Sequence, residues 1–115
     1  MFVYSERVRL SLADIVEDAD RVTSFIDGMD GEMLANDERT LLAVERLFQR
    51  ITEAVIQIGA DDMARIGTDL PVKNIRDFGN RLRHDYRNID PSLLLRIART
   101  SLPALRQAAA RALED

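Results

Sequence analysis

The stretch GNRLRHDYRNID, residues 79–90, contains the chain's sole histidine, His84. Arg81, Arg83 and Arg87 surround it, together with Asn80, Asn88, Tyr86, Asp85 and Asp90. Histidine is the side chain that most readily takes and gives a proton near neutral pH. Arginine holds phosphate through a rigid fork of donors, and asparagine adds neutral donors. This set suits transesterification of an RNA phosphodiester: a base removes the proton of the 2′-hydroxyl while cations stabilise the charge building on the phosphorus oxygens. That chemistry needs no metal, and one histidine with no cysteine makes a zinc-type ligand cluster improbable. No cofactor motif is visible either. The competing reading is a solvated helix end whose Arg and His side chains complement the helix dipole.

On a straight helix each residue turns 100°, so Arg81 lies about 60°, Asn80 about 40° and Asp77 about 20° from His84. These four share one polar face. Arg83 and Arg76 stand at its edges, about 100° and 80° away.

The elements that must position this face read as helices. Gly and Pro are scarce and no alternating β-branched run occurs, so the chain is expected to be all-α. A first helix is predicted from about Ser5 to Asp27, with Val8, Leu12, Ile15, Ala19, Val22 and Ile26 forming one apolar stripe. DGMDG, residues 27–31, breaks it. A second helix begins after Asn36 or Asp37, either a good N-cap. It runs to about Gly59 with Leu41, Val44, Phe48, Ile51, Val55 and Ile58 on its stripe. GADDMARIGTDLP reads as a connector with room for one helical turn. A third helix follows Pro71, carries Val72, Ile75, Phe78 and Leu82, and ends between His84 and Arg87. The fourth opens with Asp90 as N-cap and Pro91 at its first position. Pro103 lacks the amide that would bond the carbonyl four residues back, so this helix should kink or break near Thr100. Its last turns, RQAAARALED, are weakly apolar and are expected to fray. Phe25, Phe48 and Phe78 are expected in the core, and Met29, Met33 and Met63 at the ends of the bundle. Helices with short joints make an antiparallel four-to-five-helix bundle the natural architecture.

A chain of 115 residues is expected to be one domain, 1–115, able to bury roughly 65% of its unfolded surface without staples. No apolar run approaches the roughly 18 residues of a membrane span. The start, MFVYSERVRL, lacks the pattern of a signal peptide. A soluble cytoplasmic protein is expected. Net charge is −4, which argues against a general nucleic-acid coating. The charge is uneven, with an acidic body over residues 1–70 and a basic balance over 71–115, which permits a local anion site.

NRLRHDY followed by ID, after LPVKNIRDFG, resembles the signature of the HepT-like branch of the HEPN superfamily. That signature reads arginine–asparagine, three residues, histidine, any residue, tyrosine, with Ile/Val–Asp beyond. NDERTLLAV, ITEAVIQIG and the Leu102–Pro103 step resemble the family's flanking segments in order. The resemblance implies a helical bundle that homodimerises with the motifs of both subunits facing a shared cleft. It implies a metal-independent endoribonuclease acting as the toxin of a toxin–antitoxin pair. The antitoxin would be a small nucleotidyltransferase of the MntA type that transfers AMP to the motif tyrosine. Carried over, His84 is the acid–base residue, Asn80 the polar residue of the motif and Tyr86 the site of AMPylation.

One departure stands out. Gly79 occupies the position of the family's arginine. Loss of one transition-state donor costs on the order of a hundredfold in rate. Either a neighbouring arginine substitutes, with Arg83 and Arg76 favoured and Arg81 close by, or the domain is a non-catalytic subunit that binds nucleotide or RNA and scaffolds the nucleotidyltransferase. Gly79 also suits a close packing contact. Asp85 is expected to partner solvent or an N-terminal arginine, Asp90 to serve as a cap, and Glu53 to hydrogen-bond across the bundle in a buried position.

Overall fold

A computed structural model describes residues 4–67, 72–84 and 89–114. These form seven helical segments and no strand: α1 Glu6–Phe25, α2 Gly31–Ala35, α3 Glu38–Ile58, α4 Ala60–Arg65, α5 Val72–His84, α6 Pro91–Arg99 and α7 Ser101–Glu114. The all-α helical bundle expected from the sequence is the observed architecture.

The helix starts follow from side-chain chemistry. Ser5 accepts from the Val8 amide at 3.2 Å, and Asp37, rather than Asn36, accepts from the Thr40 amide at 3.1 Å. Asp90 accepts from the Ser92 amide at 2.9 Å ahead of Pro91. Each contact satisfies an amide that has no partner within its own helix. A helix that hydrophobic periodicity did not reveal begins at the end of the DGMDG break: Asp30 caps the five-residue α2. The anticipated turn after Gly59 is α4, which follows α3 directly because Gly59 adopts a φ of +89°. The break at Thr100 separates α6 from α7, and Pro103 falls in the first turn of α7, where its missing amide leaves no bond unmade.

The stripes of α1 and α3 face each other. Leu12, Ile15, Val22, Val44 and Val55 are fully buried, each contributing roughly 1.5–3 kcal/mol relative to exposure. Arg7 at the start of α1 donates to the Gln57 carbonyl near the end of α3 at 3.1 Å, so the pair runs antiparallel. α7 lies antiparallel along the other side of α1. Arg9 donates to the Leu113 carbonyl at 3.1 Å, and Arg106 pairs with Asp20 at 2.8 Å. α5 packs on α3, and α2 on α6.

Four expectations need correction. The C-terminal turns do not fray away from the bundle: Ala109 and Ala112 are buried, their small size letting α7 approach α1 closely. Phe25 is 45% exposed, because the α1 stripe closes with Ile26 at the C-cap and leaves Phe25 at its edge. Met33 is 50% exposed on α2, whereas Met63 fills the core from α4 and Met29 packs against the core's edge. Glu53 is half-exposed and not buried. Phe48 and Phe78 behave as expected, meeting edge to face with centroids 5.7 Å apart.

Candidate active site

The site is built on α5, whose buried edge is narrow. Leu82 is fully buried and Phe78 partly so, while Gly79 packs directly against Thr52 of α3. A Cβ at position 79 would lie 2.5 Å from Thr52 Oγ1 and 2.9 Å from Thr52 Cβ. Thr52 is itself buried, with its hydroxyl donating to the Gln49 carbonyl at 2.8 Å. The close-packing reading of Gly79 therefore holds. At this approach distance any side chain at position 79 collides with Thr52, so α5 and α3 would have to shift to admit a guanidinium there.

The other α5 residues singled out in the sequence present their side chains to solvent. Arg76, Asn80, Arg81, Arg83 and His84 are all exposed. Arg76, Arg81 and His84 make no hydrogen bond or ion pair with another described residue. Arg83 is different. Its guanidinium donates to the Asn80 side-chain carbonyl one turn earlier, and its second terminal nitrogen stands 3.8 Å from Glu53 Oε1 on α3. Glu53 does link α3 to α5, but as a half-exposed ion pair. Exposed pairs of this kind contribute little to stability. The structure thus gathers Asn80, Arg83 and His84 at the C-terminal end of α5, with Arg81 in the same turn and Arg76 two turns earlier. Asp85, Tyr86 and Arg87 lie outside the described residues.

Sequence reasoning missed the device that secures this turn. Gln49 on α3 donates from its side-chain amide to the Leu82 carbonyl at 3.2 Å. Leu82 belongs to the last turn of α5, where carbonyls lack partners within the helix. Arg46 in turn donates to the Gln49 side-chain oxygen at 3.2 Å. This Arg46–Gln49–Leu82 relay anchors the turn that carries Arg83 and His84. Gln49 lies one residue beyond Phe48, and nothing in its spacing announces the role.

A second missed feature lies beside it. Asp18 on α1 is 1% exposed, held by Arg21 Nη1 at 2.7 Å and by Arg50 Nε of α3 at 3.0 Å. A signal for it existed. Ser11, Asp14 and Asp18 recur at three- and four-residue steps beside the α1 stripe, and Arg46, Arg50, Glu53 and Gln57 do the same on α3. The two rows line a polar groove of about 240 Å³.

No group of three or more metal-ligating side chains is assembled among the described residues. No described helix is long and apolar enough to cross a membrane.

Comparison with known proteins settles the kinship. A model of the family described as ribonuclease HepT-like matches residues 15–112. The chain belongs to the HepT-like ribonuclease family. A Methanocaldococcus jannaschii protein named as a candidate RNase is 25% identical over 108 residues, covering 94% of this chain and 88% of its own length. No solved structure matches the chain. The HepT-like match spans α3 and α5 entirely, so Gly79 and His84 lie inside the matched region.

Proposed function

We propose that the chain is a metal-independent endoribonuclease toxin whose chemistry is carried by the C-terminal turn of α5. The observation that carries this reading is the HepT-like match across the fold, with the exposed His84 turn and its cluster of arginines lying inside the matched region. His84 takes the proton of a ribose 2′-hydroxyl. The 2′-oxygen attacks the adjacent phosphorus, the 5′-oxygen leaves with a proton from a protonated imidazole or water, and a 2′,3′-cyclic phosphate results. Arg83 supplies the guanidinium that Gly79 cannot, with Asn80 holding it over the turn and Arg81 and Arg76 drawing in neighbouring phosphates. Two copies pair so that two such turns share one cleft, where the second imidazole acts as the acid. A nucleotidyltransferase antitoxin of the MntA type silences the site by transferring AMP to Tyr86, placing a bulky anion beside the cleft. The single domain 1–115 works in the cytoplasm, where RNA is found.

The test is incubation of purified protein with RNA in excess chelator. Cleavage that disappears in His84→Ala supports the reading, and RNA left intact at high protein concentration overturns it. A second reading rests on one specific observation, the absence of space for any side chain at position 79. In it the chain is a non-catalytic subunit that binds nucleotide or RNA and scaffolds the nucleotidyltransferase. Intact RNA with saturable RNA binding would select it.

A further inference from the structure

We infer that the polar groove between α1 and α3 is a subsite that receives an unpaired base of the RNA strand and favours guanine. This deepens the ribonuclease reading and rests on it for the identity of the ligand. The groove has about 240 Å³ of room, just below the roughly 300 Å³ at which drug-sized pockets begin, which suits one ring system rather than a whole nucleotide. It adjoins the His84 turn by two routes. Glu53 lines the groove and stands 3.8 Å from Arg83. Arg46 also lines it and connects through Gln49 to the Leu82 carbonyl. A strand whose phosphate lies on Arg83 therefore has the groove beside it for a neighbouring base.

Several of its polar groups are already engaged. Asp18 is held by Arg21 and Arg50, Arg46 by Gln49, and Glu53 faces Arg83. Three are free. The Ser11 hydroxyl, the Asp14 carboxylate and the Gln57 side-chain amide make no hydrogen bond with another described residue. Ser11 is only 5% exposed and still faces the groove. Its hydroxyl oxygen is open to solvent through the groove, so a ligand lying there can reach it.

The free groups select among bases. A carboxylate accepts through two adjacent oxygens. Guanine presents two adjacent donors, N1–H and the N2 amino group, which meet those oxygens together. Adenine and cytosine offer one amino group beside a bare ring-nitrogen acceptor, which the carboxylate repels. Uracil flanks a single N–H with two carbonyls and fits worst. The Ser11 hydroxyl and the Gln57 amide can donate to guanine O6. Reading the Watson–Crick edge of a splayed-out base is the usual route to sequence preference in single-stranded RNA.

The test titrates the intact ¹⁵N-labelled chain with 5′-GMP, AMP, CMP and UMP and follows amide shifts. GMP should move Ser11, Asp14 and Gln57 and bind at least roughly tenfold more tightly than UMP, the scale of one good bidentate base contact. Asp14→Asn keeps the size of the side chain but leaves one acceptor, and should erase that preference. Asp14 is exposed and has no ion pair among the described residues, so the variant is expected to fold. Ser11→Ala serves as the second variant and should weaken GMP binding several-fold. Equal responses to all four nucleotides, shifts confined to the His84 turn, or an Asp14→Asn protein that still prefers GMP would each overturn the subsite. Cleavage mapping keeps the two readings apart. A chain that leaves RNA intact yet binds GMP at Asp14 retains the subsite and loses the nuclease. A chain that cuts RNA without regard to guanine retains the nuclease and loses the subsite.

Discussion

Gly79 and Thr52 are in such close register that a methyl group on the glycine would sit 2.5 Å from the threonine hydroxyl oxygen. Thr52 is β-branched and buried, and its Cβ would itself be 2.9 Å away, so rotating one bond does not relieve the overlap. The helix α5 reaches α3 this closely only because the position is glycine, and the turn carrying Arg83 and His84 is placed by that contact.

Gly79→Ala is therefore expected to destabilise the fold by about 1–3 kcal/mol from overpacking, despite alanine's higher helix propensity. Thr52→Ala combined with Gly79→Ala should recover most of the loss. Urea denaturation of the two single variants and the double variant checks this, and additive losses would contradict the contact. Gly79→Arg, which places an arginine where the resemblance to the HepT-like signature expects one, should lower stability further instead of raising activity.

Removing the imidazole in His84→Ala is expected to reduce RNA cleavage by about a hundredfold or more, the usual weight of a general base. Arg83→Ala should cost on the order of a hundredfold in kcat. Arg83→Lys should recover only part of that, because an ammonium lacks the guanidinium's fork. Arg76→Ala should act mainly on KM and on its salt dependence. Steady-state cleavage of a labelled oligonucleotide at two ionic strengths separates these outcomes.

Gln49→Ala leaves the Leu82 carbonyl without its donor and Arg46 without its acceptor. A loss of about 0.5–1.5 kcal/mol is expected, concentrated in α5. Hydrogen exchange should quicken in the last turn of α5 and stay unchanged in α1. The same variant should lower kcat several-fold while leaving KM nearly constant, since it loosens the turn without removing a phosphate contact.

Two carboxylates make opposite contributions to the pH dependence of stability. The Thr40 hydroxyl and amide hold the Asp37 carboxyl below its ordinary 3.8. Its folded-state pKa is depressed, so its contribution is present above 3.8 and is lost as pH falls through the lower folded value. Asp37→Asn keeps a capping oxygen and should flatten the acid limb of the stability curve. Burial pushes Glu45 above its ordinary 4.5. A raised pKa contributes stability below 4.5 that is lost as pH rises through the folded value. Glu45→Gln should raise Tm at neutral pH, with the difference vanishing below pH 4.5. Thermal melts of both variants between pH 3 and pH 7 provide the check.

The long helices were legible because their periodicity is strong and their caps are conventional. Ser5, Asp37 and Asp90 all cap as their residue types suggest. α2 was not legible, since five residues are too short to show a period. Phe25 was misassigned because a stripe predicts a face but not where the partner helix stops covering it. The α7 turns were misjudged because alanine contributes little hydrophobicity by itself, and its value here comes from the close approach it allows. The α5 constellation was read as one polar face, and its described members do share the solvent side of that helix. Glu53 was placed across the bundle correctly and buried wrongly. The Gln49 relay and the Asp18 ion pairs depend on which residues of α3 meet α5 and α1, and periodicity along one helix carries no such information.

The sequence by itself determined the helical segments, their starts and the identity of the charged and titratable groups on α5, because capping and amphipathicity act within a few residues. Only the tertiary structure decided that the space beside Gly79 is filled by Thr52, that Gln49 anchors the turn carrying Arg83 and His84, and that polar rows on α1 and α3 close into a groove. Those outcomes depend on how far apart two helices lie and how each is rotated, which is set by the packing of all the side chains between them and written in no local stretch of the chain.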